Sequence, residues 1–494
     1  MKKKKLIAVT ITLLFVLIFA VSCMYNQAAP AVVTNPVLAP TEQASPTPTP
    51  EVSAAPTPSP VEQSKDEGLV YIKASKLKIR EEAKADSKSV DSLVKGAAVR
   101  IMEEKKDDKG SSWYEISYEG ANGKVEGWVA AEYTVKDRTE LLGESLKKLD
   151  FTPQAKNQEY PGNPRVQARG IYLTIYSASN DRLDKLIEMT KRTKINTFVI
   201  DVKDDNGTML FPTKAAEKYS PEANKKAPVK DIAALIKKLK DNNIYAVARI
   251  VSFKDPTYSR QHPEKAIIYK ETGKPFKNSD GLTWASAYDR TLWEYNLAVA
   301  KEAAQAGFNE IQFDYVRFPA SNGGKLDKTL DYRNTTNETK PEAIQNYLKY
   351  AREQLSPFNV YIAADIYGLV GSVEDDMSLG QYWEAISNVV DYVSPMMYPS
   401  HYANGTYGLS VPDAYPYETV YNSSKDSVAR NKNIKTPATI RPWIQDFTAT
   451  WVKGHIKYSD KQVEDQIRAL EKNGVTEYML WNAGNKYSEG AVAK

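Results

Sequence analysis

Cysteine is almost absent from this 494-residue chain: Cys23 is its single copy. A disulfide framework and a Cys-based metal site are thereby excluded. Histidine is nearly as scarce. His262, His401 and His455 lie far apart with no His-x-x-x-His spacing, so the usual His-rich zinc site is not available, and no motif calls for a cofactor. Neither sign of charge is in excess. The 66 Lys and Arg against 62 Asp and Glu leave a formal net charge of +4, which is no nucleic-acid signature.

Tyrosine, by contrast, is plentiful, with 31 copies beside 8 tryptophans. So many rings suit a large core and also suit stacking on flat sugar faces. A Lys- and Tyr-rich secreted protein has the same composition, so composition leaves both readings open. The length has room for two or three domains.

The amino terminus reads as an address. Lys2 to Lys5 form a positive region, Leu6 to Val21 an apolar run, and Ala20-Val21-Ser22-Cys23 closes it with small residues. Residues 1–23 are therefore a secretory signal. A cysteine in that place resembles a bacterial lipoprotein lipobox, with Ala20 where Leu is usual. The resemblance implies cleavage before Cys23, lipid attachment to it, and anchoring on the extracytoplasmic side of the cell membrane. An uncleaved anchor or a simple secreted protein is the alternative, and each leaves the bulk of the chain outside the cytoplasmic membrane. Residues 24–66 carry Pro-Thr-Pro-Thr-Pro and Pro-Thr-Pro-Ser-Pro with almost no large apolar side chains. Such a segment cannot bury enough surface to fold and favours polyproline II. At ~3.1 Å per residue it makes a tether reaching on the order of 130 Å.

In residues 67–137 the pattern changes to short β runs at Leu69–Tyr71, Leu77–Arg80, Ala98–Met102, Trp113–Ser117 and Gly127–Val129. Asp107-Asp108-Lys109-Gly110 and Gly120-Ala121-Asn122-Gly123 read as hairpin loops. These suit a small all-β barrel. Leu77-Lys78-Ile79-Arg80, Trp113-Tyr114-Glu115-Ile116 and Gly127-Trp128-Val129 with Tyr133 resemble a bacterial SH3 domain. The resemblance implies contact with cell-wall peptides or glycans; the alternative is a plain spacer in which Trp113 and Trp128 are core residues. Residues 138–168 connect this domain to a larger one.

Residues 169–494 alternate strand and helix. The expected strands are Gly170–Ile175, Thr197–Lys203, Ile244–Ile250, Ile311–Val316, Val360–Ile366, Tyr392–Met397, Thr436–Trp443 and Tyr478–Trp481. Helical periodicity appears at Leu183, Leu186, Ile187 and Thr190, and over Ile232–Leu239, Leu292–Ala306 (closing at Gly307), Tyr382–Val390 and Val463–Lys472. The fold class is α/β: eight such units make a (β/α)8 TIM barrel, preceded by the small SH3-like domain. A doubly wound open sheet would show a phosphate-binding glycine turn after its first strand, and none is present.

The strand ends are distinctive. In order they are Val199-Ile200-Asp201-Val202-Lys203-Asp204-Asp205-Asn206-Gly207, Ala248-Arg249-Ile250-Val251-Ser252-Phe253-Lys254-Asp255, and Gln312-Phe313-Asp314-Tyr315-Val316-Arg317-Phe318-Pro319. Then come Ala364-Asp365-Ile366-Tyr367-Gly368, the run from Ser394 through Tyr398 and His401 to Tyr402, Arg441-Pro442-Trp443-Ile444-Gln445-Asp446-Phe447, and Leu480-Trp481-Asn482-Ala483. Together they closely resemble the bacterial putative glycosyl hydrolase domain family, a glycosidase-like TIM-barrel group of unknown function. The resemblance covers Arg169 to about Tyr487 and implies the barrel and a polysaccharide or peptidoglycan-type substrate. It brings no assigned mechanism.

Glycoside cleavage usually needs two carboxyl groups flanking the bond, and in a barrel they sit at the C-terminal strand ends. Asp314 is charged after Ile311 and Phe313, which is costly unless the charge is used or paired. Arg317 is the expected partner, keeping Asp314 ionised as nucleophile or base. Asp365, on the next strand, is the expected general acid/base. Asp201 shares a strand face with Lys203, either as a structural ion pair or in substrate contact. Arg249, Arg317, Tyr398, His401, Arg441, Trp443, Gln445, Asp446, Trp481 and Asn482 complete the expected substrate-binding set. Asp255, before Pro256, reads as a turn or cap residue. A chitinase-like barrel would place a Glu after its strand-four aspartates, where Val316-Arg317-Phe318 stand instead. The non-enzyme alternative is a barrel that holds glycan at the wall without cutting it.

Overall fold

The computed structural model describes residues 68–120 and 123–494. The signal, Cys23 and the Pro/Thr tether lie outside the described residues. Two compact units divide the chain at Leu142 and Gly143.

The smaller unit is a seven-stranded antiparallel half-barrel of Leu69–Ile72, Lys76–Arg80, Ser89–Val94, Ala98–Lys106, Ser112–Gly120, Gly123–Ala130 and Thr134–Val135. Strand alternation builds it: Lys76–Arg80 buries Leu77 and Ile79 and exposes Lys76 and Lys78. Those two apolar residues join Val70, Ile72, Leu93, Val99, Ile116 and Val129 in one core. Trp113 is a core ring, its Nε1–H donating to Asp107 Oδ2 at 3.1 Å, whereas Trp128 is half-buried. The strand Ser89–Val94 goes beyond the sequence expectation. It buries only Leu93, so it carries no alternating signal.

In the larger unit eight parallel strands close on themselves. They are β1 (Arg169–Leu173), β2 (Thr197–Lys203), β3 (Tyr245–Val251), β4 (Glu310–Asp314), β5 (Tyr361–Tyr367), β6 (Tyr392–Met396), β7 (Thr439–Ile440 and Trp443–Gln445) and β8 (Tyr478–Trp481). Each pairs with the next and β8 pairs with β1, which closes the barrel. The longer helices around it are α1 (Arg182–Arg192), α2 (Ile232–Asp241), α3 (Arg290–Ala306), α4 (Lys340–Leu355), α5 (Pro416–Asn431) and α6 (Asp460–Lys472). As expected, α3 ends on Gly307, whose φ of +105° lets its N–H turn back to the carbonyls of Ala303 and Ala304. Helices α4 and α5 were not anticipated. The capping box of Thr339 and Glu342 that starts α4 was a readable signal.

Alternation along the strands divides the apolar residues into two sets. Tyr172, Val199, Val247, Tyr361, Ala363, Tyr392 and Met479 fill the lumen. Ile171, Ile200, Ile250, Ile311 and Ile362 face the helices. Strands β2 and β3 are buried along their whole length, as barrel staves must be.

The end of the barrel where the strands begin is sealed. Tyr160 packs on Tyr361 with ring centroids 4.9 Å apart, and Asn163 Nδ2 donates to the carbonyls of Asn309 and Asn359 at 2.7 and 2.8 Å. Arg441 belongs to this end and not to the substrate cleft. It interrupts β7, lies fully buried with its guanidinium 3.8 Å from the centre of the Tyr392 ring, and pairs with Glu310 at the start of β4. Tyr245 donates to the same Glu310 at 3.2 Å. Stripping one partner from a buried pair of this kind generally costs ~3–5 kcal/mol, so Arg441 is accounted for by stability.

Candidate active site

The opposite end, where strands finish and βα loops begin, gathers the charge. Arg249 near the end of β3 is 1% exposed and stands in register with Asp201 of β2 and Gln312 of β4. Its Nη1 donates to Asp201 Oδ1, its Nη2 to Asp205 Oδ1 at 3.1 Å, and its Nε and Nη2 to Asp314 Oδ2 at 2.9 and 2.6 Å. Tyr172 of β1 donates to Asp201 Oδ2 at 2.5 Å. Lys254 bridges Asp205 at 3.1 Å and Asp280 at 2.8 Å. Three carboxylates thus converge on one guanidinium whose planar fork suits such pairing.

Asp314 ends β4, earlier than the expected Val316. The next residue, Tyr315, has φ of +47°, a left-handed conformation rare outside glycine. Its N–H donates to Asp314 Oδ1 at 2.5 Å. Backbone held in such a state at a strand end is the kind of local strain found at functional sites. The turn carries Arg317 away from Asp314, which corrects the expected pairing: Arg249, a cross-strand neighbour, holds Asp314 instead. Arg317 Nη1 donates to the carbonyl of Phe318 at 2.9 Å.

Asp365 on β5 lies one step past Ala364, the partner of Phe313, and is therefore level with Asp314. It is 1% exposed. Trp443 Nε1–H donates to its Oδ1 at 2.9 Å, while Oδ2 is buried with no partner. Burial, followed by the negative charge of Asp314, pushes its carboxyl well above the usual range. The pair therefore comprises one acid bonded to a guanidinium and one buried beside it without a cation of its own.

Above them opens a cavity of about 350 Å³, lined by Arg249, Asp314, Tyr315, Arg317, Tyr367, Met396, Tyr398, His401, Tyr402, Trp443 and Trp481 among others. Asp365 is not part of that lining. Gly368 is required by the wall, since a Cβ there would fall 2.4 Å from both the Met396 carbonyl oxygen and the Tyr402 hydroxyl. Trp481 stacks on Tyr172 at 4.1 Å and meets Trp443 edge-on at 5.4 Å. From Tyr398 the rings continue outward to Phe447 at 6.1 Å and then to Trp451 at 5.9 Å, which is 47% exposed.

Of the expected contacts, Arg249, Arg317, Tyr398, His401, Trp443 and Trp481 meet at this cavity with Asp314. Asp201 lies under it against Arg249. The others do not reach it. Lys203 is turned outward because β2 carries an irregularity opposite Arg249 and Ile250, which breaks the alternation. It bonds Asp255 at 2.8 Å and Asn296 of α3 at 2.6 Å, so it is not the partner of Asp201. Asp255 also caps the helix Pro256–Gln261 by accepting from Tyr258 N. Gln445 ties β7 to Asp413 at 2.9 Å and to Ser400 N at 3.0 Å. Asp446 accepts from Ser488 N and Oγ at 2.8 and 2.7 Å, and Asn482 donates to the Asp446 carbonyl at 2.5 Å. These three are loop braces. Asp205 and Lys254 were missed, although both stand in the polar tips at the ends of β2 and β3.

A closed parallel barrel carries its functional side chains at its C-terminal mouth, and here paired acids and aromatic rings stand there. Residues 170–487 match the family described as "Putative glycosyl hydrolase domain", and the chain belongs to that family. Residues 75–135 match the bacterial SH3 domain family. Among solved structures, a hypothetical protein from Ruminiclostridium thermocellum ATCC 27405 is 36% identical over 40% of this chain and 96% of its own, with a TM-score of 0.35. The glycoside hydrolase domain of PgaB (BpsB) from Bordetella bronchiseptica is 13% identical over 65% of this chain and 95% of its own, with a TM-score of 0.47. The α-galactosidase TtGalA from Thermus thermophilus is 11% identical over 84% of each chain, with a TM-score of 0.42. No curated protein matches the chain.

Burial raises the Asp201 carboxyl to about 7 against the opposing pull of Arg249. A group that binds its proton more tightly when folded stabilises fully below its unfolded value, 3.8 here, and loses that contribution as pH rises through about 7. Melting temperature should therefore fall between about pH 4 and pH 7 with a slope that Asp201→Asn reduces. An identical slope in the variant would show that Asp201 does not titrate there.

Proposed function

We propose that the barrel is a glycoside hydrolase acting on a polysaccharide or cell-wall glycan through two carboxyl groups. The observation that carries this reading is the pairing of Asp314, on the cavity wall and clamped by Arg249, with the buried Asp365 level with it on the adjacent strand, whose carboxyl burial pushes up. Asp314 serves as nucleophile or as the base that activates water, and Asp365 holds the proton destined for the leaving oxygen. That proton has no protein acceptor competing for it. Reach to the glycosidic oxygen comes with substrate, because catalytic hydrogen bonds commonly tighten only in the complex. The rings of Trp481, Tyr398, Phe447 and Trp451 offer a succession of faces for the sugars of a chain.

One observation favours a second reading, a barrel that holds glycan without cutting it. Asp365 is outside the cavity lining, and both oxygens of Asp314 are already engaged. Incubating the full chain with peptide-free peptidoglycan strands separates the two. Cleavage should release reducing ends, and Asp314→Asn should lower that release by ~10³-fold or more. Unchanged release would remove Asp314 from the mechanism, and retention of glycan with no products from either protein would establish the second reading.

The sequence supports placement as well: lipid on Cys23 anchors the chain at the membrane, the tether spans outward, and residues 67–137 contact the wall. Cys23→Ser should move the protein from the membrane to the soluble fraction with barrel activity intact. Persistence in the membrane fraction would rule out the lipid anchor.

A further inference from the structure

Arg317 stands apart from the other charges of the cavity wall. Arg249 is balanced by Asp201, Asp205 and Asp314. Arg317 is only 7% exposed, yet among the described residues no carboxylate lies within ion-pair distance of it. Its one hydrogen bond runs from Nη1 to the Phe318 carbonyl. Nε and Nη2 donate to no protein atom, and the side chain lines the cavity. The guanidinium is held in place by rings. Its central carbon lies 4.8 Å from the centre of Trp284, 4.9 Å from that of Tyr367 and 5.2 Å from that of Tyr315.

Aromatic faces favour a cation but do not replace an anion. A charge nine-tenths buried without a counter-ion is costly, and the cost is recovered when a ligand supplies the anion. An arginine presenting two free N–H donors from a rigid plane matches a carboxylate in two-point fashion, which a lysine does not. Asp314 repels negative charge on its own side of the cavity, so an anionic substituent has one favourable place to sit. We propose that Arg317 is a specificity-determining residue that pairs with a carboxylate carried by the bound sugar, making the substrate an acidic glycan. The inference rests on the glycan-processing reading of the barrel and names its substrate class.

Binding tests it separately from cleavage. The full chain carrying Asp314→Asn is titrated with peptide-free peptidoglycan strands, whose muramic residues bear a carboxylate, and with the same strands after reduction of that carboxylate to an alcohol. Intact strands should bind at least about tenfold tighter. Arg317→Gln should bring that ratio to about one by weakening the intact strands alone, and Arg317→Lys should leave an intermediate preference because its point charge lacks the fork. Equal binding of the two strands by the parent, no binding of either, or a preference that survives Arg317→Gln would each overturn the proposal. If Arg317→Gln melts early, the Arg317→Lys ratio decides: an undiminished preference overturns it. Preferential binding without cleavage by the wild type would remove the catalytic reading and leave this one. Cleavage of both strands at equal rates would remove this one alone.

Discussion

The guanidinium of Arg249 ties β2, β3 and β4 together at the mouth of the barrel. It is almost fully buried, and Asp201, Asp205 and Asp314 surround it and offset the cost of burying its charge. Those acids in turn are kept in place by it. Asp314 has one orientation available, with Oδ2 on Arg249 and Oδ1 on the Tyr315 backbone. Burial first, and then the negative charge of Asp314 on the adjacent strand, push the Asp365 carboxyl up, while Arg249 pulls the other way.

The barrel separates stability from chemistry along its axis. At the end where strands begin, Glu310 and Arg441 neutralise each other beneath Tyr392, and Tyr160 and Asn163 close the opening. At the other end two polar side chains stand without a full set of partners. Asp365 Oδ2 lacks a donor, and Arg317 lacks an acid. An arginine without an acid on the cavity wall is what an anionic ligand would complete.

Much of this architecture was readable from the chain. Strands β2 and β8 begin and end where their apolar runs do, since buried staves are continuous hydrophobic stretches bounded by polar tips. Gly307 ended its helix as a left-handed glycine should. The failures share a cause. Arg317, three residues from Asp314, was the obvious partner by sequence, but the partner that counts is Arg249, brought alongside by strand register. Lys203 was assigned to the face of Asp201 by strict alternation, which one irregularity in β2 reverses. Arg441, Gln445 and Asp446 come one after another through a strand that is broken at Arg441 and Pro442, so adjacency there does not mean a shared destination. Local pattern identifies elements, and non-local pairing decides which side chains meet.

The proposed chemistry depends on Asp365 holding a proton at neutral pH beside Asp314. Infrared difference spectroscopy of the wild type against Asp365→Asn measures this directly. The wild type should show a protonated carboxyl C=O band at pH 7 that the variant lacks, with the carboxylate bands unchanged. Loss of a carboxylate band in the variant, and no protonated band in the wild type, would contradict it.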